Sequence, residues 1–217
     1  MDFDELSGGV NLSKINRKFF FDTVRLTLFD GSLRKTQVQG LTALLDYWEQ
    51  HHAAKDDRWL AYVLGTAHHE VDRKMQPIKE YGSNSYFFRM YDIEGDRPKV
   101  AKRLGNLAKG DGVLFHGRGF VQITGRYNYA DWENRLGTDL TSSRAKADKV
   151  LNLVRATEII FEGMILGTFT GKKLSDYFLN VRQDWEGARR IVNGTDKKAL
   201  IASYSKSYYA AISYTTA

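Results

Sequence analysis

The chain has 217 residues, 42% of them hydrophobic, which suffices for one well-filled core or for two lobes around a cleft. It has no cysteine, so disulfides, thiolate metal sites and a cysteine nucleophile are excluded, and no apolar run reaches the roughly 18–20 residues of a membrane span. The formal charge of +6 and pI of about 9.3 favour polyanionic partners. Lysines and arginines are scattered rather than gathered in a basic arm, so nucleic acid is not the expected partner.

Residues 1–15, MDFDELSGGVNLSKI, lack a basic start followed by an apolar stretch, so no secretion signal is expected, and they are a candidate for disorder. From Asn16 to Phe29, Phe20, Val24 and Leu28 recur at helical spacing. A turn follows at Asp30-Gly31. Residues 36–39, TQVQ, fit a capping box, with Val38, Leu41, Leu45 and Trp48 on one face of a second helix. Asp56 or Asp57 can cap a third helix, in which Trp59, Val63, Thr66 or Ala67, and Glu70 share a stripe. Glu70 therefore stands where an apolar helix face ends. From about Lys74 to Gly112 periodicity fades, as in the long irregular segments that carry function in compact domains. In FHGRGFVQITG, 115–125, glycines at 117, 119 and 125 break helix while Phe120, Val121 and Ile123 suit a short buried strand. A helix resumes near Tyr127. Val150, Val154, Thr157, Phe161, Met164 or Ile165, and Thr168 mark a long, central helix. Two shorter helices are expected at about 182–192 and 197–213, separated by Asn193-Gly194. One domain over residues 1–217 accounts for this order.

The stretch AHHEVDRKMQPIKEYG, 67–82, concentrates possible chemistry. A zinc site of the His-Glu-x-x-His type needs a second histidine one helical turn on, but those positions hold Asp72 and Arg73. Only the distant His116 is left to join His69 and a carboxylate. A glutamate pair is the alternative: inverting glycoside hydrolysis uses one protonated carboxyl to serve the leaving oxygen and one carboxylate to activate water. The two need different surroundings, an apolar helix face for the acid and a solvated, hydrogen-bonded loop for the base. Glu70 and Glu80 suit these roles. Spacing alone does not separate this from a plainer reading, a helix-end glutamate and a loop surface charge.

Two segments together add a resemblance. His69-Glu70 and HGRGFVQITGRYNY, 116–129, resemble the signature of glycoside hydrolase family 19, the chitinase-like group that includes many bacteriophage endolysins. ARRIVNG, 188–194, looks like that family's Ile-Asn-Gly element, and LTLFDG, RWLAYVLGTAHHE and MQPIKEYG look like phage-type features. The resemblance runs from about residue 20 to the end. It implies Glu70 as general acid, Glu80 as general base, with Asp92, Glu94 and Asp96 as the other loop acids open to that role, and Thr124 as the hydroxyl that helps hold the attacking water. It also implies sugar contacts from His69, Gln122, Tyr127, Asn128 and Asn193. Thr195 departs from the second glycine that often follows Asn-Gly in the family. Arg118 is read as partner to a structural carboxylate. Tyr81, Tyr86, Phe87, Phe88 and Tyr91 either wall a sugar site or pin their loop.

The expectation is a mainly α, lysozyme-like (α+β) fold, with two α-rich lobes and a small β element flanking a substrate cleft. The expected activity is hydrolysis of β-1,4 bonds in bacterial peptidoglycan by a muramidase-type endolysin, needing no cofactor and no metal, with chitin as the alternative substrate. A non-catalytic wall-binding module and a zinc-dependent amidase are the competing classes. The protein is expected to be a monomer without membrane insertion, held in the host cytoplasm until a separate membrane lesion releases it.

Overall fold

The computed structural model describes residues 14–215. The expected disorder of the amino-terminal segment lies, for residues 1–13, outside the described residues. Ile15 is already part of the fold: it is buried, bridges Tyr214 and donates its N–H to Glu49 Oε1 at 2.7 Å.

The first helix, α1 (Arg17–Leu28), starts where the Asn16 side chain accepts the Phe19 N–H, and it buries Phe20, Val24 and Leu28 as their spacing dictates. The next, α2 (Lys35–His51), buries Leu41, Leu44, Leu45 and Trp48. Its cap differs from the expected one. The Arg34 N–H donates to Gln37 Oε1 at 2.8 Å, so the helix begins before Thr36, and Val38 is only half-buried. Asp56 caps α3 (Asp57–Glu70), whose residues Leu60 to His68 are all buried. A helix apolar all round belongs at the centre of its body, and α3 packs there against α2, against α9 (Leu153–Leu166) and, most extensively, along α10 (Lys198–Ala211).

The expected irregular stretch from Lys74 to Gly112 contains β1 (Ile78–Lys79) and three short helices, α4 (Asn84–Tyr91), α5 (Pro98–Arg103) and α6 (Asp111–Leu114). Ser83 caps α4 and Pro98 opens α5. β1 pairs antiparallel with β2 (Arg118–Gly119), Ile78 opposite Gly119 and Lys79 opposite Arg118. The strand expected over Phe120–Ile123 is instead a tight turn, with Gln122 in left-handed backbone and Arg118 bridged back to Ile123. Phe120, Val121 and Ile123 are buried all the same. Next come α7 (Arg126–Leu136) and α8 (Arg144–Ala147).

The long helix near the centre begins later than expected. Asn152 caps α9, a 3₁₀ turn holds Val150, and Val154 points outward at 68% exposure. The helix expected at 182–192 is a hairpin of β3 (Phe178–Leu179) and β4 (Arg182–Gln183) followed by a 3₁₀ turn over Gly187–Ile191. Among the described residues, no helix is long and apolar enough to cross a membrane.

Arg118 fixes the β element to its surroundings. It is fully buried and donates to Asp148 Oδ1 at 2.7 Å, to the Leu114 and His116 carbonyls at 3.0 Å each and to the Tyr129 hydroxyl at 2.8 Å. These bonds answer Nε and Nη1 of a guanidinium that has left water, while its buried Nη2 has no protein partner. The structural carboxylate expected for it is Asp148.

Candidate active site

Glu80 continues the β1–β2 ladder by one rung. Its N–H donates to the Gly117 carbonyl at 2.8 Å, and the Gly117 N–H returns to Glu80 Oε2 at 3.0 Å. The Tyr91 hydroxyl donates to Glu80 Oε1 at 2.7 Å. Burial, and then the hydrogen bond and charge of Glu80, raise the Tyr91 phenol above its ordinary value, which keeps it a donor. Both carboxylate oxygens are thereby oriented.

The face of Gly117 is where the side chains meet. A methyl group on its Cα would stand 2.9 Å from Gln122 Oε1, 3.0 Å from Glu80 Oε2 and 3.2 Å from Thr124 Oγ1. Three oxygens thus converge on a spot that only glycine leaves clear. The Thr124 hydroxyl donates to the Gln122 carbonyl at 3.0 Å, so its lone pairs face the site. The Gln122 amide is held from within: its Nε2 donates to the Ile78 and Gly119 carbonyls, both at 3.1 Å, and its buried Oε1 has no protein partner. The acceptor, not the donor, is what it offers to the site.

Asn128 and Tyr127 start α7 beside this turn. Asn128 donates Nδ2 to the Thr124 carbonyl at 2.6 Å, and Tyr127 is 58% exposed with its ring against Gly105. Gln122, Thr124 and Asn128 share a small cavity of about 150 Å³ with Phe169 and Val192. Asn193, next to Val192, is exposed and accepts the N–H of Gly194 on its own Oδ1 at 2.8 Å.

Glu70 ends α3 with Oε1 held 2.5 Å from Arg189 Nη1, an ion pair whose arginine is 4% and glutamate 17% exposed. Arg189 comes from the 3₁₀ turn and also donates Nε to the Asp196 carbonyl at 3.1 Å. In the sequence its only local mark is a charged residue set between the apolar Ala188 and Ile191, both of which are buried. His69 is half-buried beside Glu70.

Other acids near Glu80 are spent on structure. Asp92 is fully buried and accepts the N–H groups of Gly110, Gly112 and Glu94, while Glu94 pairs with Lys109 at 2.8 Å. The aromatic group divides. Phe87 is buried and stacks on His116 with centroids 4.1 Å apart, Tyr91 holds Glu80, and Tyr81 is 63% exposed. His116 is buried with Nδ1 2.7 Å from the Val113 carbonyl. Among the described residues no three His, Asp or Glu side chains gather as metal ligands.

No protein-family model and no curated protein sequence matches the chain. Among solved structures it is similar to chitinase C from Streptomyces griseus HUT6037, with TM-score 0.52 and 14% identity over 96% of this chain and 80% of that one. It is likewise similar to a glutamate-to-glutamine mutant of chitinase C, with TM-score 0.50 and 15% identity over 96% and 99% of the two chains. At this identity the likeness establishes the fold, which is the mainly α, lysozyme-like one expected.

Proposed function

We propose that the protein is a glycoside hydrolase cleaving β-1,4 bonds of an N-acetylhexosamine polymer with inversion. The observation that carries this reading is the convergence of Glu80 Oε2, Thr124 Oγ1 and Gln122 Oε1 on bare Gly117; the acid in this reading, Glu70, ends α3 paired with Arg189 rather than on the purely apolar face expected for it. Glu70 gives its proton to the glycosidic oxygen as the bond to the anomeric carbon breaks. A water lying against Gly117 forms the new bond to that carbon, and its proton passes to Glu80. Exchange with solvent then returns one proton from Glu80 and restores the one on Glu70, so the net change is addition of water. With Oε1 of Glu70 tied to Arg189, Oε2 is the oxygen left to face the leaving group. The chemistry calls for no cofactor.

Peptidoglycan is the preferred substrate. The phage-type segments of the sequence support it, and a charge of +6 draws the protein toward anionic envelopes. In this reading the protein is an endolysin of muramidase type, kept inside the host cell until another protein opens the membrane. The test is mass spectrometry of soluble fragments released from purified peptidoglycan and from chitin, with and without a chelator. Fragments with reducing N-acetylmuramic acid ends that persist under chelation support a muramidase. Release from chitin alone makes it a chitinase. Freed peptides with intact glycan, abolished by chelation, overturn the glycosidase reading in favour of an amidase.

A further inference from the structure

Residues 71–79 join the two glutamates, and within them Asp72, Arg73 and Met75 hold left-handed backbone, with φ of 50°, 62° and 52°. Each such non-glycine residue is strained and persists only where its surroundings over-determine it. Helix α2, which hydrogen-bonds to neither glutamate, supplies those surroundings. Buried Gln37 donates Nε2 to the Arg73 carbonyl at 2.9 Å, and Gln76 donates Nε2 back to the Thr36 carbonyl at 2.6 Å. Between them the Met75 carbonyl lies on Gly40, where a methyl group would stand 1.6 Å from its oxygen. Arg73 is tied further, to the Leu28 carbonyl at 2.8 Å and to Asp30 at 2.7 Å.

We propose that Gln37, Gly40 and Gln76 are positioning residues: through residues 73–76 they fix the offset between Glu70 and Glu80, so that α2 sets the acid–base geometry without touching substrate. The inference rests on reading those glutamates as the catalytic pair. Glu70 is anchored at its end by Arg189, and Glu80 at its end by Gly117. The strained segment between them relaxes toward ordinary right-handed or extended backbone if the clamp is removed, and β1 then moves against α3. A near-attack arrangement tolerates little of this, since a displacement of about 1 Å can cost on the order of a hundredfold in rate.

Gln37→Glu isolates the clamp. It keeps an oxygen for the Arg34 N–H that starts α2 and removes the donor to the Arg73 carbonyl. The variant and wild type are compared by steady-state kinetics on a soluble N-acetylhexosamine oligosaccharide, by thermal melting and by amide hydrogen exchange over residues 71–77. The expected result is a kcat lower by about tenfold to a hundredfold, with KM nearly unchanged, faster exchange in that stretch, and a lower melting temperature because a carboxylate then faces the Arg73 carbonyl at a buried site. In a Glu80→Gln background the same substitution is expected to add no further loss, because the pair it positions is already disabled. Gln76→Ala is expected to act in the same direction as Gln37→Glu. Wild-type kcat in both variants overturns the inference, and so does an equal fold-loss in both backgrounds, which marks general loosening. A wild type with no hydrolysis overturns the catalytic reading itself and takes the inference with it.

Discussion

Gly117→Ala puts a methyl group among the three oxygens that define the site. The glycine is not in left-handed backbone, so alanine adds no conformational strain, and the effect falls on the neighbours. The methyl carbon would lie 2.9, 3.0 and 3.2 Å from Gln122 Oε1, Glu80 Oε2 and Thr124 Oγ1, inside the roughly 3.5 Å of ordinary non-bonded contact. Each oxygen must retreat by a few tenths of an ångström. Overpacking of this kind costs about 1–3 kcal/mol, while replacing glycine returns about 0.4–1 kcal/mol by restricting the unfolded chain. A net loss of about 1–2 kcal/mol follows, a fall of a few degrees in melting temperature at roughly 2–4 °C per kcal/mol for a chain of this size. Activity should suffer far more, because the methyl takes the ground of the attacking water. The expected loss is at least about tenfold in kcat with KM little changed, the pattern of an interaction made in the transition state. Initial rates on a soluble oligosaccharide, with a thermal melt of the same sample, decide it. A variant that melts normally and keeps wild-type kcat refutes the water site.

Tyr91→Phe removes the donor to Glu80 Oε1 but leaves the Gly117 N–H on Oε2. Losing one hydrogen bond to a charged group is expected to lower kcat about tenfold, and unchanged rates count against Glu80 as the base. Arg118→Lys leaves carbonyl and hydroxyl partners without a donor and strains the pair with Asp148. It should cost about 1–3 kcal/mol, read as a lower denaturation midpoint, and an unchanged midpoint contradicts the anchoring role. Burial depresses His68 and His116 from 6.5 to about 4, helped in each case by nearby positive charge, though for His116 the bond to the Val113 carbonyl opposes it. Below about pH 6.5 the unfolded chain takes up protons that the folded chain takes up only near pH 4. Stability is therefore full above pH 6.5 and lost as pH falls toward 4. Thermal melts from pH 7 to pH 4 should show that decline, and a flat profile contradicts it.

The helices that were legible in the sequence are those long enough to repeat their period. Phe20, Val24 and Leu28 mark α1, and the apolar run from Leu60 marks α3. Helices α4, α5 and α6 have 8, 6 and 4 residues, too few turns to show a stripe, so their segment read as irregular. Trp185, Ala188 and Ile191 are buried at a spacing of three, which fits a 3₁₀ turn as well as a longer helix. The hairpin before it, with Val181 almost wholly exposed and Asn180 left-handed, is held by backbone bonds that no side-chain pattern announces. At the site, Glu80, Gln122 and Thr124 were readable as residue types at motif spacing, and the structure brings them together. The inward turn of the Gln122 amide depends on the Ile78 carbonyl, 44 positions away in the chain, and the Glu70 partner lies 119 positions away. Contacts at such separation leave no local trace.

The most direct test of the central claim follows hydrolysis of a soluble N-acetylhexosamine oligosaccharide by proton NMR, with wild type, Glu70→Gln and Glu80→Gln side by side. Wild type is expected to release the α-anomer first, as a single displacement on a β-linkage requires. Each variant, still folded, is expected to turn over at least about a hundredfold more slowly. First appearance of the β-anomer, or near wild-type rates in Glu70→Gln, contradicts the assignment of these two glutamates.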